Sequence, residues 1–382
     1  MDLIDREKLL NKAFRPHSPI EEKENFAGRV KEQERVVQAL HSPGQHVVIY
    51  GERGAGKTSL ARVSTIGTSR IDVFCEGKST FQKLARDVAL QYQKSNPATI
   101  KYDASADSII VRGVHHSLNN LDGNRLKAIL PDETTVIIFD EVDRLPTKTL
   151  ENLGEFTKNI ATDSSHITLI FVGVGHTVTD LLRGHESVFR NIKSVGLGRF
   201  ELDADIKAIL DRAGTILGLT FTAPAISDII VASDRLPFYV QLLGISSARI
   251  ALEESAANVA KSHVTKGAER AAQDADEPLR DIYEGAILSS RSDVYKYVLW
   301  ALASLDGKLE GAVGQIAEAA TKLSPSKITA QMSGAALKKL ASPGRQDIVS
   351  ARVMGPKQTF YSFSHPLMRG YVRLKIHAAS SS

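Results

Sequence analysis

Gly51 and Gly56 stand with four residues between them and are followed at once by Lys57 and Thr58, a spacing that suits a bound triphosphate. The glycines let the backbone close around phosphate oxygens, and a helix opening at this point aims its N–H groups at the anion. Lys57 would reach the β- and γ-phosphates, and Thr58 would ligate Mg²⁺. Glu52, Arg53, Gly54, Ala55 and Ser59 complete the expected nucleotide cradle. A second pair of candidates is Asp140 and Glu141, which close the apolar run Thr134-Thr135-Val136-Ile137-Ile138-Phe139. Asp140 is placed to hold the metal through water, and Glu141 to orient and deprotonate an attacking water.

These groups need rigid carriers. His46-Val47-Val48-Ile49-Tyr50 is a short β-type run before the glycine loop, and Leu60-Ala61-Arg62-Val63 reads as helix after it. The run before Asp140 is apolar throughout and rich in β-branched residues, as in a strand covered on both faces of a parallel sheet. Its acids then fall at the carboxyl edge, where ligands bind in such sheets. Strand-like segments near His46, Ile71, Val136, Ile167 and Val195 alternate with helical patterns such as Phe81 to Gln93. That alternation predicts an α/β fold with a parallel sheet and helices on both faces.

With these motifs the chain resembles the AAA+ ATPases, and within them the origin-recognition and initiator group together with the related STAND ATPases. The Asp140-Glu141-Val142-Asp143 tetrad is typical of the initiator group. The resemblance implies ATP and Mg²⁺ as cofactors, ATP hydrolysis, strand order 5-1-4-3-2, a helical lid and a C-terminal winged-helix domain. It implies that Phe26, Ala27, Gly28 and Arg29 line the adenine pocket. It places the sensor 1 residue after Ile167–Val172, where His176 and Thr177 are the candidates. Arg190 matches the position of an arginine finger, with Arg183 and Arg199 as competitors and a helix-capping role as the plain alternative. Ser233-Asp234-Arg235-Leu236-Pro237 resembles the Gly-x-Pro segment of STAND lids, with Arg235 in place of the glycine. The resemblance offers Arg235 a second role, that of a sensor 2 arginine, and Pro237 also suits an ordinary helix start.

The expected organisation is an N-terminal arm over 1–25, the nucleotide-binding domain over 26–200, a helical lid over 201–285, a winged helix over 286–377 and a disordered tail over 378–382. Residues 96–130 show little periodicity and are left unassigned; His115 and His116 within them lack partners for a metal site. The Ala- and charge-rich stretch from Glu253 to Glu277 reads as a solvated connecting helix. Ser289 to Leu302, Val313 to Lys322 and Ser326 to Leu340 read as three helices, followed by β-type runs over Asp347 to Met354 and Gln358 to Phe363.

Of the 382 residues, 291–382 carry a net charge of +8 and 1–290 a net −4. A basic module on a mildly acidic body suggests duplex DNA as a partner. In the third helix of that module, Ile328, Met332, Leu337 and Leu340 are expected inward. Lys327, Gln331 and Lys338 are expected to face a DNA groove, with Arg345, Arg352 and Lys357 on the wing. The plain alternative is that the module docks on its own ATPase domain or on another protein. The other partners expected are further copies of the chain or related ATPase subunits, and an unidentified protein client. A single cysteine, Cys75, excludes an internal disulfide, and the longest apolar run, around Ile167–Val174, is far shorter than the roughly 20 residues of a membrane span. The expectation is a cytoplasmic protein without a membrane partner.

Overall fold

The computed structural model describes residues 2–130, 132–163, 166–175, 190–274, 277–288, 293–305, 308–355 and 358–379. The chain divides into two compact units, one of residues 19–198 and one of residues 1–18 with 199–382.

The first unit is built on five parallel strands: β1 (His46–Gly51), β2 (Ser69–Phe74), β3 (Thr135–Asp140), β4 (Ile167–Val174) and β5 (Ile192–Leu197). Their order across the sheet is β5-β1-β4-β3-β2, the order expected from the resemblance. Alternate residues serve opposite faces. Val48, Ile71, Val73, Ile137, Phe139, Leu169 and Phe171 pack on one side, with Leu84, Val88, Leu153 and Phe156 from the helices Phe81–Ser95 and Thr147–Asp163. Val47, Ile49, Val136, Ile138, Ile170, Val172, Val195 and Leu197 face the other side, with Val36 of helix Val30–Leu40 and Leu60 of helix Lys57–Ser64. Burial on both faces is why these strands read as continuous apolar runs. Residues 101–117, which show no periodicity, fold as an antiparallel meander of Lys101–Asp103, Ser108–Val111 and Val114–Ser117.

The second unit is mostly helical before residue 305, with one short parallel pair, Thr220–Phe221 and Asn258–Val259. Asp203–Leu217, Ala223–Ala232, Pro237–Glu253, Lys261–Asp274 and Glu277–Ile287 follow one another, and the N-terminal helix Leu3–Ala13 packs among them. Phe14 is fully buried and lies where a side chain at Gly244 would sit, since a Cβ there would come within 2.5 Å of its ring. Glu7 accepts two hydrogen bonds from the Arg249 guanidinium, at 3.0 and 2.9 Å. The stretch expected as a solvated connector departs from that reading. Val264, Ala268, Ala271 and Ala272 of helix Lys261–Asp274 are buried, because small residues let it lie close against Pro237–Glu253: a Cβ on Gly267 would come within 3.0 Å of Ser247.

Further along come helices Val294–Ser304, Val313–Leu323 and Ala330–Leu340. They are joined by a three-stranded antiparallel sheet in the order Glu310–Ala312, Gln358–Phe363, Val349–Gly355, and by a final helix Met368–Ala379. The third of these helices starts at Ala330, later than the sequence suggested. Thr329 caps it by accepting from the Met332 N–H at 3.2 Å, as threonine does at a helix start. Met332, expected inward, is 41% exposed, and Ser333 takes the buried place.

Candidate functional site

All five strands end on one edge of the sheet. Gly51 of β1 pairs in register with Val174 of β4 and Leu197 of β5, while Asp140 pairs with Val172 of β4 and Phe74 of β2. The register therefore brings the glycine loop and the acid pair to the same edge, although 82 residues separate Thr58 from Asp140.

The loop is shaped by its glycines. Gly51 has φ 151°, and a Cβ there would come within 2.0 Å of the Leu197 carbonyl oxygen, so only glycine lets the loop leave the sheet beside β5. Gly54 and Gly56 adopt φ of 80° and 87°, left-handed values that glycine takes without strain. Helix Lys57–Ser64 then starts from Gly56 with no side chain capping its first turn. The positive end of the helix is therefore uncapped by a side chain, as an anion site requires. Lys57 donates to the Glu52 carbonyl at 2.9 Å. Burial pushes its pKa down, with Asp143, Asp140 and Glu52 acting the other way. Arg53 is exposed and Ala55 is buried. Ser59 is engaged elsewhere, accepting from the Ile20 N–H at 3.0 Å.

The Thr58 hydroxyl donates to Asp140 Oδ2 at 2.9 Å. The Glu141 N–H donates to Asp140 Oδ1 at 3.0 Å. Burial raises the Asp140 pKa, opposed by those two hydrogen bonds and by the positive charges of Arg62 and Lys57. This carboxylate is short of positive charge. Glu141 adopts φ 61° at the turn into Val142–Arg144. Asp143 accepts from the Val174 N–H at 2.7 Å and so fixes the end of β4, a role absent from the sequence reading.

Phe26 packs against the face of the sheet that carries the loop helix. Gly28 and Arg29 have φ of 74° and 61°. Arg29 is buried, donating to the Gly198 carbonyl and pairing with Glu32 at 3.1 Å. Ala27 is partly buried beside them. Arg190 is exposed at the entry to β5, at the opposite end of that strand from Leu197, which borders the loop. Six residues at roughly 3.3 Å each separate the two edges. His176, Thr177 and Arg183 lie outside the described residues.

The remaining candidates belong to the second unit. Arg235 adopts φ 59°, the conformation that glycine takes freely, at the place where the resemblance puts a glycine. Its guanidinium pairs with Asp203 at 2.5 Å. Pro237 is the first residue of helix Pro237–Glu253. Lys327, Gln331 and Lys338 are exposed. Arg345 donates to the carbonyls of Gly285, Ala286 and Leu288 at the end of helix Glu277–Ile287 and stacks over Tyr295 at 4.5 Å. Arg352 pairs with Glu310. Lys357 lies outside the described residues.

Sequence reasoning missed a cluster of charges around Asp234. Asp234, only 8% exposed, receives Arg199 at 2.9 Å, Arg369 at 2.8 Å and Arg373 at 3.4 Å. Arg369 also donates to the carbonyls of Leu305 and Lys308, and Arg373 to those of Ala303 and Val231. Nearby, Tyr239 donates to the Leu367 carbonyl at 2.7 Å and lies on Gly370. Among the described residues no helix is long and apolar enough to cross a membrane.

Residues 40–182 match the family model described as an AAA domain. No curated protein matches the chain. Among solved structures, a Walker-type ATPase of Pyrococcus abyssi is 17% identical, with 94% of this chain and 99% of that one covered and a TM-score of 0.56. The ORC2 protein of Aeropyrum pernix, in ADPNP–ADP complexes, is 14% identical, with 97% and 98% covered and a TM-score of 0.51. Both likenesses concern the fold, the α/β architecture of AAA+ P-loop ATPases. With an AAA domain and the loop and acid pair at its sheet edge, the chain is an ATP hydrolase.

Proposed function

We propose that the chain is a Mg²⁺-dependent ATP switch that assembles through shared ATP sites and binds duplex DNA through a winged helix formed by 286–377. The observation that carries the hydrolytic part is the Thr58–Asp140 hydrogen bond, which ties the phosphate-loop helix to the tip of β3. A hydroxyl and a carboxylate are the hard oxygen donors that Mg²⁺ takes, its other positions going to phosphate and water. The fit is supported by the Asp140 carboxylate, which burial leaves in want of a cation. When bound, Mg²⁺ supplies charge neutralisation at the β- and γ-phosphates.

The chain's own residues do the rest. Backbone N–H groups of Gly51–Ser59 hold the phosphates, and Lys57 turns from the Glu52 carbonyl to the β- and γ-oxygens. The Glu141 carboxylate accepts a proton from the attacking water as its oxygen bonds to the γ-phosphorus and the bond to ADP breaks. Arg190 stands at the far edge of the sheet from its own loop, which suits a guanidinium offered to a neighbour's phosphates. Hydrolysis by a lone copy is then slow.

Exposed Lys327, Gln331 and Lys338 on or before helix Ala330–Leu340 suit a recognition surface in the major groove. The basic excess of this end supports DNA over an uncharged partner. A second reading, in which this module makes protein or intramolecular contacts in a signalling ATPase, draws on Arg345 and Arg352. Both are already engaged within the chain.

The test is ATP binding and phosphate release by the full chain, with and without duplex DNA, at two salt concentrations. Tight nucleotide binding, turnover stimulated by DNA and DNA affinity that falls steeply with salt are expected. Glu141→Gln should retain ATP and stop turnover. Failure to bind ATP would overturn the whole reading, and DNA binding indifferent to salt would favour the second.

A further inference from the structure

We infer that Arg144 is a positioning residue for hydrolysis, holding the Glu141 carboxylate so that one oxygen stays open to the attacking water. This rests on the reading of Glu141 as the base. Arg144 Nε lies 2.7 Å from Glu141 Oε2, and Oε2 is closed off from solvent without an aligned hydrogen bond. The guanidinium is therefore its compensating charge. The side chain as a whole is 34% exposed, so its exposure lies away from Oε2, and Oε1 is the oxygen left to accept a proton.

The platform for this contact is stiff. The Arg144 N–H donates to the Glu141 carbonyl at 3.1 Å and the Leu145 N–H to the Val142 carbonyl at 3.1 Å. Val142 is fully buried, and Asp143 is fixed by the Val174 N–H. Asp140, on the other side, already accepts from Thr58 and from the Glu141 N–H. Each acid of the tetrad thus has a different fixed partner. A free glutamate would sample many rotamers, and holding it in one removes an entropic cost from the proton transfer.

Because Arg144 and Glu141 are both partly exposed, their pair contributes little to folding, and Arg144→Ala should fold normally. In the full chain we expect Arg144→Ala to lower kcat about tenfold while the KM for ATP and the affinity for a fluorescent ADP analogue stay at wild-type values. Arg144→Lys should recover most of the loss. In single-turnover measurements, Arg144→Ala added to Glu141→Gln should cost nothing more, since the two act through one carboxylate. An unchanged or raised kcat in Arg144→Ala would overturn the inference, as would a loss confined to KM or a full extra loss in the double variant. If Glu141→Gln is inactive and Arg144→Ala is normal, only the role of Arg144 falls. If Glu141→Gln itself turns over at the wild-type rate, the base assignment falls, and the inference with it.

Discussion

Asp140 and Asp234 are both carboxylates withdrawn from water, and they are treated in opposite ways. Asp234 is surrounded by Arg199, Arg369 and Arg373. Among the described residues, the Asp140 carboxylate accepts from a hydroxyl and an N–H, with Lys57 and Arg62 near but not paired to it, and burial raises its pKa. A buried charge must be compensated or it costs stability. The Asp234 region satisfies that requirement inside the chain and becomes a structural junction. The Asp140 region meets it less fully, and a cation of the kind proposed above would supply the remainder.

The sharpest way to break this contrast is to remove the saturated carboxylate. Asp234→Ala takes the shared counter-charge from three guanidinium groups, and we expect a loss of about 3–5 kcal/mol in urea unfolding of the second unit; a loss under about 1 kcal/mol would mean that the carbonyl partners of the arginines suffice. Next in size is a group with no counter-charge among the described residues. His46 is fully buried, with Nε2 at 3.2 Å from the Thr157 carbonyl and Nδ1 accepting from the Leu169 N–H, and burial holds its pKa at about 4 against 6.5. The unfolded chain takes the proton first as pH falls. His46 therefore leaves stability untouched above about pH 6.5 and erodes it down to about pH 4, by a total of about 3 kcal/mol. Urea unfolding across that window should show the slope, and His46→Leu should lack it.

Asp140→Asn should cut Mg²⁺-dependent turnover by about 100-fold, yet leave nucleotide-free stability at or above the wild-type value, because a buried charge is removed. A thermal melt without nucleotide decides the second half. A fall there would mean that the carboxylate is already compensated. The smallest effect expected is at Arg235. Glycine there relieves the left-handed backbone and loses a partly exposed ion pair with Asp203 and a long hydrogen bond to the Glu201 carbonyl, so Arg235→Gly should change stability by less than about 1 kcal/mol, towards stabilisation. Chemical denaturation can resolve it.

The two regions also differed in how far they could be read in advance. The phosphate loop and β3 are local signals: glycines at fixed spacing, an apolar run and acids at its tip all lie within a few residues. Parallel pairing then brings them together without further information. Asp234 collects partners from positions 199, 369 and 373, and no spacing in the sequence announces that meeting. The same holds for Arg345 and Arg352, expected on the wing: their partners, the carbonyls of 285, 286 and 288 and the carboxylate of Glu310, are distant in sequence. Helix Lys261–Asp274 was misjudged for another reason. Apart from His263 and Val264 its inward face is alanine and glycine, which bury little apolar area and leave a weak hydrophobic stripe. The meander over 101–117 escaped because strands of three or four residues are too short for alternation to show.

The packing of residues 1–18 with 199–382 means that the polypeptide passes from one body to the other twice, near 18 and near 198. A protease cutting near 18 leaves both bodies on one strand of chain. A cut near 198 leaves the leading helix still seated through Phe14 and Glu7. Two chain crossings thus connect the bodies, and a single nick at either one leaves the other in place.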